Sequence, residues 1–582
     1  MIAFAFLIIH LARKRKALYV CLLVAAIMVY IVIRGLLRLP FYSAHSVGQL
    51  AQEIIEDVLS ASLVPFLIGA FGFLWYRFFY AALRALFVRL KKGVVVVLAQ
   101  AFMAFVCALI IVQCAIGVGS LLWEHITLIS QYRKEMDRSV VSNTQQDVNV
   151  IVVLVDALRA DHLGCYGYGR PVSPSLDAFA QEGVRFERCY AQASWTSPSV
   201  ASLLTSLYPS MHNVSYFHGL PHEAITLAEL LQKQGFVTYC YLANPAIRSI
   251  YNFNQGFDFF DDYLMRASAS RAVFRSLPKV FRMVARILGV RGTKWEDNDS
   301  ASIANKRIFS WLETHKDQNF FMYLHYMDPH SPYAAPYPYN MMFYSLKEKE
   351  IAQSVARYDS EIRFFDDCFK EFLEKLKVLG IYEKTIIIFV SDHGEAFLEH
   401  GQREHGNTVY EEEVWVPLMV KYNNRAAQGK VIAAPVRLID VMPTIVDLLG
   451  VKTSNAMEGR SLVPFLQGEK TGVPAPDVFI EKTLELGASV SSGMIEEGKW
   501  KYIVSKLPVA GKSGEQEKEE LFDLSLDPQE LKNLAAEKPE RLRHMRQSVR
   551  RYQEYCGQKA MKPHVVGKHF EAMEQLQSLG YL

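Results

Sequence analysis

Neither sign of charge is in excess: 63 Lys and Arg stand against 60 Asp and Glu in 582 residues, a net +3. That near balance gives no reason to expect a nucleic-acid binder, a basic arm or an acidic solvating tail. Cysteine is scarce, with eight residues and no CxxC pair. Cys21, Cys107 and Cys114 fall in apolar runs, which leaves an odd five in the polar remainder: Cys165, Cys189, Cys240, Cys368 and Cys556. At most a pair or two of disulfides, and no cysteine metal site, are expected. Internal repeats are absent, and 511–520 is the one tract of strongly biased, hydrophilic composition. The length allows about three or four domain-sized units.

Charge is unevenly placed along the chain. Residues 1–128 hold 11 Lys and Arg against 4 Asp and Glu, and the rest holds 52 against 56. Within the first part, 17–33, 58–76 and 93–123 are uncharged runs of 17, 19 and 31 residues, each long enough to cross a bilayer as a helix. The apolar segment 1–12 is too short, because twelve residues rise only ~18 Å against a ~30 Å hydrocarbon core. It lacks the charged start and small-residue cleavage site of a removable signal peptide, and reads as a re-entrant piece or the end of a longer apolar segment. Arg13, Lys14, Arg15 and Lys16 precede the first run, and Arg77, Arg84, Arg89, Lys91 and Lys92 separate the second from the third, whereas 39–59 has three acids and no Lys or Arg. Positive loops stay in the cytoplasm. The third span therefore exits, and the expectation is a multi-pass protein of the inner (cytoplasmic) membrane with everything beyond about residue 124 on the outer side. The spans carry no ionisable side chain of the kind that marks a transport path.

After a polar stalk, Asn149–Val155 is a β-branched run with the look of a fully buried strand. Thr385–Val390 is a second; it follows a helical stretch, Ile351–Leu379, and leads into Ser391-Asp392-His393-Gly394-Glu395. Strands alternating with amphipathic helices predict an α/β domain with a mostly parallel sheet. Ligands in such sheets sit beyond the carboxyl ends of the strands, where Asp156 and Asp392 fall. Asp477–Lys482, Gly498–Val504 and Glu520–Leu524 read as short strands, and Pro539–Tyr555 as an Arg-rich surface helix, together a small antiparallel subdomain. The expected division is a transmembrane helical domain 1–128, a linker 129–147, a catalytic domain 148–474 with its C-terminal subdomain 475–556, and a tail 557–582.

Single residues carry little weight here, since a strand-ending aspartate is commonly a turn or cap and Asp-His-Gly can be a plain turn. Their coincidence says more. In Ser194-Trp195-Thr196-Ser197-Pro198-Ser199 a hydroxyl lies just before a proline suited to open a helix. A helix N-terminus stabilises an anion, whether an alkoxide or a group in transfer. Threonine is a poor nucleophile while protonated, and metal coordination is one of few ways to activate it. Asp156, Asp392 and His393 offer hard oxygens and one imidazole, which suits zinc or manganese better than an all-oxygen calcium cage, with calcium and magnesium still open. His330 in FFMYLHYMDPHSPY and His405 in HGQREHGNTVYEEE could bind a substrate oxyanion, protonate a leaving oxygen or hold a second cation. His325, Asp328 and His400 are neighbours of lower rank.

These residues lie in ordered blocks: NVIVVLVDALRADHLGCYGYG, SWTSPSVASLLTSLYP, DPHSPY, SDHGEAFLEHG, YEEEVWVPLMV, DVMPTIVDLLG, GRSLVPFL and ELFDLSLDPQELKNL. Over residues 148–550 the chain resembles the sulfatase branch of the alkaline-phosphatase superfamily. The resemblance implies a doubly wound α/β/α core, a smaller C-terminal sheet and a metal at the sheet's carboxyl edge. Three motifs depart from it. Most sulfatases carry Cys or Ser in C/S-x-P-x-R, converted to formylglycine, where this chain has Thr196 and Val200. An Asp-Asp pair is replaced by Asp156-Ala157, and an Asp-Asn pair by Asp392-His393. The changes resemble the superfamily's threonine enzymes, the lipoteichoic-acid synthases and phosphoethanolamine transferases, which are also membrane-anchored. Carried over, Thr196 is nucleophile and metal ligand, Asp156, Asp392 and His393 are the other ligands, and His330 and His405 contact substrate or a second metal. The expected activity is cleavage or transfer of a phospho- or sulfo-ester group at the outer membrane face, with membrane lipid or envelope glycan as substrate. The competing expectation is a catalytically degenerate domain that binds lipid or protein. Oligomeric state is open.

Overall fold

The computed structural model describes residues 147–262, 301–344, 349–422, 427–468, 476–482, 490–508 and 515–565. The three apolar runs and the segment 1–12 lie outside these residues. Among the described residues no helix is long and apolar enough to cross a membrane.

A nine-stranded sheet organises the chain. Its strands are β1 (Asn149–Val155), β2 (Val184–Tyr190), β3 (Val237–Leu242), β4 (Phe259–Asp261), β5 (Phe320–Tyr326), β6 (Thr385–Ser391), β7 (Trp415–Lys421), β8 (Lys430–Ile432) and β9 (Val436–Arg437). They run in the order β8-β2-β7-β6-β1-β5-β3-β4, with β9 also paired to β2. The predicted mostly parallel sheet is mixed: β7 is antiparallel to both β2 and β6, and the other pairings are parallel. β1 is central and fully buried, as its β-branched run requires, because such side chains pack well on both faces of a covered sheet. Alternation then sends its side chains to two different cores. Val150, Val152 and Leu154 join the cluster with helices α2 (Thr196–Thr205), α3 (Leu227–Lys233) and α6 (Val441–Leu448). Ile151, Val153 and Val155 join the one with α1 (Pro174–Glu182), α4 (Ala301–His315) and α5 (Glu350–Val378). Helices on both faces of the sheet make the expected three-layer sandwich. The helix read over Ile351–Leu379 is α5, within a residue at each end.

The C-terminal antiparallel sheet is present and larger than expected. Its order is β10 (Val478–Lys482), β11 (Val490–Glu496), β12 (Trp500–Pro508) and β13 (Glu515–Asp523). β11 escaped the sequence reading because Val490-Ser-Ser-Gly-Met-Ile-Glu496 is small and polar rather than alternating. The tract 511–520, read as a hydrophilic loop, is from Glu515 onward part of β13, where charged side chains pair with a neighbouring strand. Helix α7 (Pro539–Gln558) packs Met545 and Val549 against this sheet. Cys165, Cys189, Cys240, Cys368 and Cys556 are all free thiols.

Candidate active site

Strand register assembles the site. β1 lies between β6 and β5, with Val155 opposite Ser391 on one side and Tyr326 on the other. The residues one step beyond, Asp156 and Asp392, are therefore neighbours at the carboxyl edge although 236 positions apart in SEQ numbering. His325 is opposite Leu154 on β1 and Leu242 on β3, and Asn244 follows β3 by two residues. Thr196 comes from the other direction, as the first residue of α2. Pro198 is the third residue of that helix rather than its opener, which costs nothing because N–H groups of the first turn have no intrahelical partner.

Asp156, Thr196, Asp392 and His393 are all fully buried. One ligand atom from each of Asp156, Asp392 and His393 lies within 4.8 Å of the others. His393 Nδ1 faces the Gly394 carbonyl at 2.9 Å, so that nitrogen carries the proton and Nε2 presents its lone pair. Nε2 is 3.2 Å from Thr196 Oγ1, 3.4 Å from Asp156 Oδ1 and 3.5 Å from Asp392 Oδ2. Asp156 Oδ1 and Asp392 Oδ2 are buried oxygens with no hydrogen-bond partner. Two orphaned carboxylate oxygens, a lone-pair imidazole nitrogen and a hydroxyl aimed at one point fit a divalent cation, since buried anionic oxygens otherwise demand donors. Fixing the imidazole through its other nitrogen is the usual support of a metal-ligating histidine.

The remaining oxygens are held from behind. Asp156 Oδ2 accepts from Asn244 Nδ2 (2.6 Å) and His325 Nε2 (2.9 Å). Tyr323 OH stands 3.0 Å from His325 Nδ1, and burial with the Asp392 charge pushes that phenol well up, so it keeps its proton. Asp392 Oδ1 accepts from His393 N (3.0 Å) and Ala157 N (3.3 Å). Ala157, at the second-aspartate position, adopts φ 57°, a left-handed conformation uncommon for alanine, and so turns its amide toward Asp392. Val200, at the arginine position, is buried in the apolar core.

Electrostatics separate the groups. Burial raises Asp156, but His330, the His325 hydrogen bond and His393 outweigh it and hold the carboxyl well below its ordinary range. Burial, then the Asp156 charge, pushes Asp392 well up. Burial and the nearby His405 hold His393 far down, hence neutral. His405 loses basicity to burial, yet Glu395, with Oε1 3.2 Å from His405 Nδ1, lifts it to about 9. Burial holds His330 down. The rings of His330 and His393 lie 4.8 and 4.3 Å from that of His405. All six predicted site residues thus converge.

Of the lower-ranked neighbours, His325 is in the site, bonded to Asp156. Asp328 instead accepts from Ala301 N at the start of α4, at 2.8 Å, and His400 pairs with Glu412 at 2.7 Å. Asn244 and Glu395 were missed. An asparagine between a strand and a proline was the signal available for Asn244.

Comparison with known proteins places this geometry. The family profile described as Sulfatase matches residues 148–451, and one described as N-sulphoglucosamine sulphohydrolase, C-terminal, matches 399–556. Arylsulfatase K of Xenopus laevis is 24% identical over 70% of this chain and 82% of its own length. The multifunctional alkaline phosphatase superfamily protein PehA of Trinickia caryophylli is 26% identical over 67% and 91%. Among solved structures, the phosphonate monoester hydrolase of Agrobacterium radiobacter has the same fold, with TM-score 0.55 and 20% identity over 70% of this chain and 96% of that one. With the profile spanning more than half of its length and the metal-binding geometry at the sheet's carboxyl edge, the chain belongs to the sulfatase family of hydrolases.

Proposed function

We propose that this chain is a membrane-anchored hydrolase of anionic sulfate or phosphate esters whose nucleophile is Thr196, acting at the outer face of the inner membrane on lipid or envelope glycan. The observation that carries the threonine assignment is the Thr196 hydroxyl at the N-terminus of α2, 3.2 Å from His393 Nε2 and beside two carboxylate oxygens that have no donor. The three uncharged runs and the loop charges of residues 1–128 support the anchoring, and anchoring favours a substrate at headgroup height. Relatives include an arylsulfatase of Clostridium perfringens and a choline-sulfatase of Rhizobium meliloti, which supports the ester class and leaves its acid and alcohol parts to experiment.

Asp156, Thr196, Asp392 and His393 would hold the divalent cation. Such an ion, when bound, supplies positive charge that lowers the pKa of a ligating hydroxyl and offsets the charge of a transferring sulfuryl or phosphoryl group. Thr196 Oγ1 gives up its proton to solvent as it attacks sulfur or phosphorus in line and the ester oxygen leaves, forming a threonine ester. His405, protonated at neutral pH with Glu395 behind it, gives its proton to the leaving oxygen. His330, neutral, takes the proton of the water that then opens the threonine ester; Thr196 Oγ1 leaves and recovers a proton from solvent, and the His330 proton restores His405, whose ring is 4.8 Å away. The α2 amides face the anion throughout.

The test is mass spectrometry of the Thr196 peptide after incubation with 4-nitrophenyl sulfate, with a phosphonate ester and with phospholipid, each with Zn²⁺ or Mn²⁺. An adduct lost in Thr196→Ala names both nucleophile and donor. Turnover unchanged in Thr196→Ala would end the assignment, and envelope lipids unchanged between wild type and Thr196→Ala would end the lipid version.

A further inference from the structure

We infer that Glu413 and Lys482 are positioning residues for His405, so that the C-terminal sheet helps shape the active site. This rests on the proposed role of His405 at the ester. His405 stands on an irregular segment, 405–409, and irregular backbone keeps a fixed geometry only if its polar groups are tied down. Gly406 N donates to Ser194 O, two residues before Thr196, at 2.8 Å. Asn407 N and Thr408 N donate to the Glu413 carboxylate at 3.0 and 3.1 Å, and Thr408 Oγ1 donates to it as well. Lys482 Nζ donates to Asn407 O at 2.7 Å.

Glu413 is fully buried, and every partner it has in this segment is a donor. A glutamine of the same shape would turn an NH₂ group toward those donors. The short helix Glu411–Val414 that carries it also accepts from the segment after His393: Gly394 N bonds to Glu413 O and Glu395 N to Glu412 O, both at 2.9 Å. One short helix therefore fixes both histidine-bearing segments, His393 through its backbone and His405 through a side chain. Lys482 ends β10 of the second sheet. The preceding Glu481 N donates to Gln192 O at 2.9 Å, laying that strand beside the approach to Thr196.

The experiment makes Glu413→Gln and Lys482→Met in the full-length, detergent-solubilised protein, each alone and with His405→Ala. It measures kcat and KM on 4-nitrophenyl sulfate and a phosphonate ester, the Kd of inorganic phosphate, and bound metal. A misplaced catalytic group costs roughly tenfold to a hundredfold, so each variant should lose about that much in kcat/KM or phosphate affinity with metal content unchanged. Adding either to His405→Ala should cost nothing further, because the group being positioned is gone. Equal losses in both backgrounds, or a metal loss that parallels the activity loss, overturns the inference. Wild-type turnover and phosphate affinity in His405→Ala would overturn it differently, by removing the role of His405 on which it rests. If Glu413→Gln fails to fold, Thr408→Val removes one donor from the carboxylate and is tested by the same criteria.

Discussion

Thr196 Oγ1 lies 3.2 Å from His393 Nε2, across 197 positions of sequence and with both side chains fully buried. The imidazole is aimed by a bond at its far nitrogen to the Gly394 carbonyl, and the hydroxyl by its place at the head of α2. Neither depends on a flexible side chain, so the hydroxyl is presented with little rotamer freedom left to lose.

Thr196→Ala should lower kcat on the order of 10³-fold or more, as loss of a nucleophile does. Thr196→Ser, which keeps the hydroxyl, should retain most activity. Steady-state kinetics with elemental analysis checks this. Bound metal should fall little in Thr196→Ala, because Asp156, Asp392 and His393 remain.

Metal removal should destabilise the catalytic domain. Asp156 and Asp392 are both fully buried, and without a cation burial and the Asp156 charge push Asp392 well up, so it takes a proton. Binding must displace that proton, and metal affinity should therefore rise with pH. Titration calorimetry in buffers of different ionisation enthalpy should show proton release that Asp392→Asn abolishes. At 100 times Kd, the ion should add about 2.7 kcal/mol to unfolding stability, and chelation should lower Tm accordingly.

Much of this site was legible because its chemistry sits where strands end. Asp156 and Asp392 each close a β-branched run, and such a run is readable without knowing its neighbours. Which strands would be adjacent was not readable: the register of Val155 with Ser391 and of Leu154 with His325 is a tertiary fact. His325 was accordingly ranked low and Asn244 passed over, yet both bond Asp156 Oδ2. The antiparallel β7 was hidden for the same reason, since WVPLMVK says nothing of direction. β11 was lost for a local reason, its serines and glycine imitating a loop.

Gly394→Ala should damage the site from a distance. A Cβ at Gly394 would lie 2.1 Å from the Glu412 carbonyl oxygen, which is backbone and cannot swing aside, so the segment after His393 must shift. Such overpacking costs typically 1–3 kcal/mol. Metal content and Tm should fall together, whereas Gly380→Ala, in open space but at φ 71°, should lower Tm modestly and leave metal content unchanged.

Lys501 offers a pH-dependent test of the seam between the two sheets. It is fully buried on β12, with Nζ 2.8 Å from Glu411 Oε1 and 2.9 Å from Glu530 Oε1. Burial, opposed by Lys501, lifts Glu530 from its ordinary 4.5 to about 7. A carboxyl whose folded pKa is raised binds its proton more tightly in the folded state, so its contribution to stability is greatest below 4.5 and declines as pH climbs to about 7. Lys501→Met leaves the buried Glu530 and the part-buried Glu411 without their cation, a loss worth roughly 3–5 kcal/mol. At pH 5.5 Glu530 can meet that loss by staying protonated, and at pH 8 it cannot without a further penalty. The Tm difference between wild type and Lys501→Met should therefore be clearly larger at pH 8 than at pH 5.5. An equal difference at both would mean that Lys501 acts through packing of its stem rather than through its charge.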